Sequence, residues 1–229
     1  MDEIRINPHF QDLTLLWIQN IEYTIVSIIL FYAYIKNKNK TALPLGLASL
    51  AGVIGYSIAG FAHQFYPDNY VIQALASNIV AQIAFYAGYV FLILALIRIK
   101  MPRLSQLIVV PIFLYGMLAL TPYVVNFSPF EVLADGSIDF KHTFIDDFSQ
   151  FIFGVILMYG FTKIFFTTYK TIQDKIPALF FGLGFISVLL LPAITASTSG
   201  TIAYYLQIGV IFGGMCHIIG LLLSARKNT

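Results

Sequence analysis

Residues 71–103 read VIQALASNIVAQIAFYAGYVFLILALIRIKMPR, a long apolar run that meets Arg98, Lys100 and Arg103 only at its end. About 20 mostly apolar residues carry a helix across the hydrocarbon core of a bilayer. This run is longer, so it predicts a helix that tilts or extends into water. Its basic end marks a membrane face, because Lys- and Arg-rich loops stay cytoplasmic.

Working outward, six more stretches meet the same length criterion. With residues 71–99 they are residues 13–35, 42–62, 104–125, 145–169, 176–198 and 201–225. Strict apolar–polar alternation over about ten residues, the signature of an outer-membrane barrel, is absent. A bilayer leaves only helix or closed barrel, so the expected fold is an all-α integral membrane bundle of seven helices. No Pro/Ser-rich linker divides the chain, which predicts a single domain over residues 1–229. Composition agrees: 59% of the residues are hydrophobic, 10% are charged, and the mean hydropathy is +0.82. Soluble domains carry roughly 25% charged residues. Soluble enzymes, nucleic-acid binders and disordered tails are excluded.

Charge placement tests the count independently. Lys36, Lys38 and Lys40, then Arg98, Lys100 and Arg103, then Lys170 and Lys175, then Arg226 and Lys227 fall in alternate connections. The other connections carry Asp2, Glu3, Asp12, Asp68, Glu131, Asp135, Asp139, Asp146 and Asp147 against Arg5 and Lys141. The pattern predicts a multi-pass protein of the cell membrane, N-terminus outside and C-terminus cytoplasmic. A cleavable signal peptide is not expected, since Asp2 and Glu3 stand where a basic region would be. The one cysteine, Cys216, lies within the last span and has no intramolecular disulfide partner.

Polar groups inside a bilayer are costly and therefore informative. Glu22 lies about 14 Å below the outer end of the first helix at 1.5 Å per residue, with Gln19 one turn above it. Such a carboxyl must be protonated, paired or hydrated. Two explanations stand: a proton-linked or ligand-contacting acid, or a neutral acid bonded to a neighbouring helix. Ser57, Asn78, Gln82, Gln150 and Gln207 also fall in outer halves, and Asn78 and Gln82 are four apart, hence on one face of an α-helix. Together Gln19, Glu22, Ser57, Asn78, Gln82, Gln150 and Gln207 predict a ligand-binding cavity open to the outside. The acidic loop 126–147 would close it. Interhelical hydrogen bonding is the rival explanation for the amides. Small residues on the second helix (Ala48, Gly52, Gly55, Ala59) and Gly209 and Gly213 on the seventh predict close packing. Pro111, Pro122 and Pro192 predict kinks.

No catalytic residue, metal ligand or cofactor is expected. Seven helices with an outside N-terminus is the layout of rhodopsins, but a retinal Schiff base needs a mid-helix lysine in the last span. That span has none before Lys227. Bis-histidine haem would need His63 and His217, which differ in depth by about 20 Å. His217 is expected to be a buried, hydrogen-bonded histidine. It stands alone, without the paired histidines that seven-helix ceramidase-like hydrolases carry in the last helix.

The third helix ends in a basic stretch (Leu96–Arg103). A longer outer loop follows the fourth (126–147), and a basic connection (Lys170–Lys175) leads to Ile176-Pro177. This order resembles the seven-helix sensor modules at the N-termini of bacterial histidine kinases. The resemblance covers nearly the whole chain and rests on layout, without a diagnostic motif. It implies receptor-like sensing of a small ligand or membrane condition, relayed to a separate cytoplasmic or membrane effector because no output domain follows. A second arrangement, Gln19 before Pro44 and Gln150 before Pro177, is similar to the three-plus-one-plus-three duplication of sugar-exporting transporters. It implies a small-solute or proton-linked transporter. An accessory subunit of a membrane complex and an enzyme complete the functional classes. The expected partners are the lipid bilayer, a small molecule and an effector protein, with no nucleic acid.

Overall fold

The computed structural model describes residues 8–125, 127, 131–132, 138–139, 144–171, 175–195 and 200–226. Seven helical segments appear among them. They are α1 (Pro8–Asn37), α2 (Ala42–Phe65), α3 (Tyr70–Lys100), α4 (Gln106–Val125), α5 (Phe144–Thr171), α6 (Lys175–Thr195) and α7 (Gly200–Arg226). Between α4 and α5, Glu131 pairs with Asp139 and Val132 with Ile138 in a two-residue antiparallel ladder. The rest of the acidic loop and the connection around Thr198 lie outside the described residues.

Each expected stretch overlaps one helix, 104–125 starting two residues before α4 and 196–198 lying outside the described residues, and the boundaries move in ways the residues explain. α1 begins at Pro8, before the expected residue 13. Proline suits a first helical turn, where its missing N–H would be unpaired anyway. α2 runs past residue 62 to Phe65, where the Tyr66 backbone N–H still bonds Ala62 O. α3 is α-helical over Tyr70–Leu75 and Ala81–Lys100 with a π turn at Ala76–Val80 between them. Such a bulge absorbs one extra residue without ending the helix. α4 opens in a 3₁₀ turn (Gln106–Ile108) and breaks at Leu120, two residues before Pro122. The proline offers no N–H there, and tight bonds from Leu120 to Met117 O and from Tyr123 to Leu120 O bridge the break. α6 is helical through Pro192.

The helices form a ring in which α1 touches α2, α2 touches α3, α3 touches α5, α5 touches α6, α6 touches α7 and α7 returns to α1. α4 stands outside, against α3 and α5. The contacts follow residue size. Gly52 receives the Tyr23 ring and Gly60 the Trp17 ring from α1, while Gly55 receives Phe85 from α3. The small-residue stripe of α2 is thus spent on packing within the bundle. Two apolar clusters join the remaining helices. Tyr86 packs with Phe153, Ala119 and Tyr123, and Leu157 packs with Phe161, Ala95 and Leu189.

The radial polarity is inverted relative to a water-soluble bundle. On α1, Gln19, Asn20, Glu22 and Ser27 are buried, whereas Ile28 is 63% exposed and Ile35 66%. Water would reverse that order, since large apolar patches are excluded from the surfaces of soluble monomers. Among the described residues five helices are long and apolar enough to cross a membrane: Leu13–Asn37, Ala42–Phe65, Tyr70–Lys100, Gln106–Val125 and Tyr205–Ser224. Shorter apolar stretches occupy Phe148–Ile164 and Lys175–Leu189. This is an all-helical, multi-pass membrane protein, apart from the two-residue ladder.

Candidate functional site

An interhelical cavity of about 620 Å³ lies among α1, α2, α3, α6 and α7, with one residue from α5. The size suits a small organic molecule. Its lining includes Glu22, Tyr56, Gln82, Gln150 and Gly214. From there it runs to Lys36, Asn37 and Asn39, which are exposed. Glu22 and Lys36 are about 21 Å apart along α1 at 1.5 Å per residue, so the space is long and narrow.

The direction differs from the expectation. The expected cavity opened toward the acidic connections; this one reaches the basic end of the bundle. Volume and pairing explain the difference. Small residues (Ala42 and Ala48 on α2 and Gly88 on α3) line the space from the Glu22 level to the basic end. Toward the acidic end, the Trp17 ring fills the gap at Gly60, and side chains bond across the helices and to the α2–α3 turn. Asn20 Nδ2 donates to Val53 O at 2.9 Å and Ser57 Oγ at 2.8 Å, binding α1 to α2. Gln73 Nε2 donates to Tyr66 O at 2.7 Å and Pro67 O at 2.8 Å, closing the turn between α2 and α3.

Glu22 is the unusual group. Its side chain is 6% exposed, and Oε1 has no hydrogen-bond partner among the described residues. The carboxyl lies against Gly214, where a Cβ would collide with Oε2. Three residues along α7, His217 also lines the cavity, and its buried Nε2 is without a partner among the described residues. The Phe185 ring meets the imidazole edge-on at 4.4 Å, and Gly184 makes room for it. A carboxyl and an imidazole, each with an unsatisfied polar atom, therefore share one wall of one cavity. Unpaired buried polar atoms are costly, and a ligand or water in the cavity would relieve both.

The predicted site residues separate into two groups. Glu22, Gln82 and Gln150 come together on the cavity wall, and Gln150 Nε2 donates to Gln82 Oε1 at 3.4 Å. Gln19 and Asn78 are buried but stand off the wall, Asn78 within the π turn of α3. The α-helical spacing that put Asn78 and Gln82 on one face does not hold across that turn. Ser57 accepts from Asn20 and stands off the wall. Gln207 is half-buried and off the wall.

His217, Tyr23 and Tyr56 are the residues that sequence reasoning missed. Tyr23 and Tyr56 were indistinguishable in sequence from the other tyrosines. His217 was expected to be hydrogen-bonded; its position one turn from Gly214 was the available signal.

At the mouth, Asn39 Oδ1 accepts from Thr41 N at 3.1 Å and Thr41 Oγ1 at 2.7 Å, forming a tight turn after Lys38, whose φ is +53°. Arg98 donates to Lys40 O at 3.0 Å and Gln106 Oε1 at 3.2 Å, tying the α1–α2 turn to α3 and α4. Among the described residues no three His, Cys, Asp or Glu side chains come together to hold a metal ion. The chain matches no known family model and no curated protein.

Proposed function

We propose that this chain is a receptor-like module crossing the membrane seven times, N-terminus outside and C-terminus cytoplasmic. In this reading its cavity binds a small, largely apolar molecule and its helices pass that occupancy to an effector protein. The observation that carries the binding role is Glu22, a buried carboxyl with an unsatisfied oxygen on the wall of a ligand-sized cavity. The alternating basic connections support the orientation. In this orientation the cavity mouth lies at the cytoplasmic face, so the ligand enters from the cytoplasm or the inner leaflet.

Occupancy has a direct mechanical outlet. The contact between Glu22 and Gly214 joins α1 to α7, and a ligand drawing the carboxyl into the cavity would alter that contact. A binding event shifts a conformational equilibrium only through such a differential contact. Proton-linked transport is the second reading, favoured by the isolated acid itself. The repeat that would support it is not mirrored in the two environments. Gln150 lines the cavity, whereas Gln19, its counterpart in the repeat, does not.

The experiment is a thermal-shift screen of small apolar molecules against the protein in nanodiscs, paired with flux assays in proteoliposomes. The expected result is a compound that raises the midpoint of wild type, not of the cavity-filled variant Ser49→Phe, and that shows no flux. Flux of that compound, abolished by Glu22→Gln, would replace sensing with transport. No stabilising compound, or equal stabilisation of Ser49→Phe, would remove the binding role.

A further inference from the structure

Resting on the binding role just proposed, we infer that the ligand is an elongated lipophilic amine carrying one positive charge, its ammonium group at Glu22. Glu22 is the one carboxyl on the wall among the described residues, and its Oε1 is a buried acceptor without a partner among them. An ammonium supplies both the hydrogen bond and the counter-charge that such an acceptor needs. A carboxylate ligand supplies neither.

The surroundings of the acid favour a cation as well. Tyr23, next to Glu22, lies 5.5 Å from Tyr56 between ring centroids, and Tyr56 lies 5.1 Å from Phe85 in an edge-on pair. All three rings line the cavity. Aromatic faces attract cations most strongly where water is excluded. The remaining length toward Lys36 is mainly apolar wall, which accommodates a hydrocarbon chain. Lys36 at the mouth repels a second positive charge, so the matching molecule has a single amine and an uncharged tail.

The test measures decylamine, decanol and decanoate binding to the protein in nanodiscs by competition and thermal shift. The expected order is decylamine tightest, at least tenfold over the other two. Glu22→Gln is expected to remove that tenfold advantage while leaving decanol unchanged. Tyr56→Leu provides a second variant, expected to weaken the amine at least threefold and the alcohol little. Equal binding of all three chains overturns the amine assignment and leaves the binding role standing. So does binding of other molecules but none of these three. Amine binding that survives both Glu22→Gln and Ser49→Phe places the amine outside this cavity and overturns the inference.

Discussion

Gly214→Ala turns the Glu22 carboxyl away from α7 and lowers the thermal midpoint only slightly, by less than the about 1–3 kcal/mol of overpacking a filled site. The added Cβ would lie too close to Glu22 Oε2, but that atom ends a flexible side chain beside the cavity and has room to move. Gly88→Ala is the control. There the nearest atoms to a new Cβ are Ala48 O at 3.5 Å and Ala51 Cβ at 3.6 Å, ordinary contacts. Alanine also favours helix over glycine by up to about 1 kcal/mol, so Gly88→Ala is neutral or stabilising. Combining Gly214→Ala with Glu22→Ala removes the colliding group, and the double variant recovers stability relative to the sum of the two single changes. That non-additivity, read from denaturation midpoints in nanodiscs, distinguishes a specific contact from general damage to α7.

Phe161→Ala has the largest expected effect, about 3 kcal/mol, the lower end of the range for Phe-to-Ala core changes. Phe161 is 4% exposed and stacks on Phe185 at 4.1 Å with the rings parallel within 1°. Phe185 in turn meets His217 and lines the cavity. Within lipid the driving force is packing rather than escape from water, which places the loss at the low end. The ring therefore links bundle stability to cavity shape. The expected result is a lowered unfolding midpoint together with weaker binding of any cavity ligand. Unchanged binding in a folded variant would separate the Phe161–Phe185 stack from the site.

Much of the architecture was legible because a bilayer restricts the choices. The run at residues 71–103 had to be a helix once barrel alternation was excluded, and α3 covers most of it. What spacing could not anticipate was the π turn at Ala76–Val80, because the α-helical rule assigns faces by a constant period. That turn separates Asn78 from Gln82 in position: one is buried outside the cavity, the other lines it.

The site was half legible for a related reason. A buried acid in an apolar helix is visible in sequence, and Glu22 stands on the cavity wall. Whether a polar side chain faces a cavity or a neighbour depends on packing. Asn20 and Ser57 illustrate this, since they satisfy each other across α1 and α2. The direction of the cavity depended on the small side-chain volume at Ala42, Ala48 and Gly88. In sequence, small residues announce close contact and empty space equally well. Gly60 is filled by Trp17, whereas Gly88 borders the void.

The cavity holding Glu22 opens at the basic end of the bundle. Cysteine accessibility tests it in a Cys216→Ser background, with single cysteines at Ser49 on the wall and at Lys38 and Asp68 as markers of the two ends. A small charged methanethiosulfonate is applied to one side of sealed vesicles at a time. Ser49→Cys is predicted to react from the side that labels Lys38→Cys and to be shielded from the side that labels Asp68→Cys. Reaction from the Asp68 side, reaction from neither side, or labelling of Lys38→Cys and Asp68→Cys from the same side would contradict it.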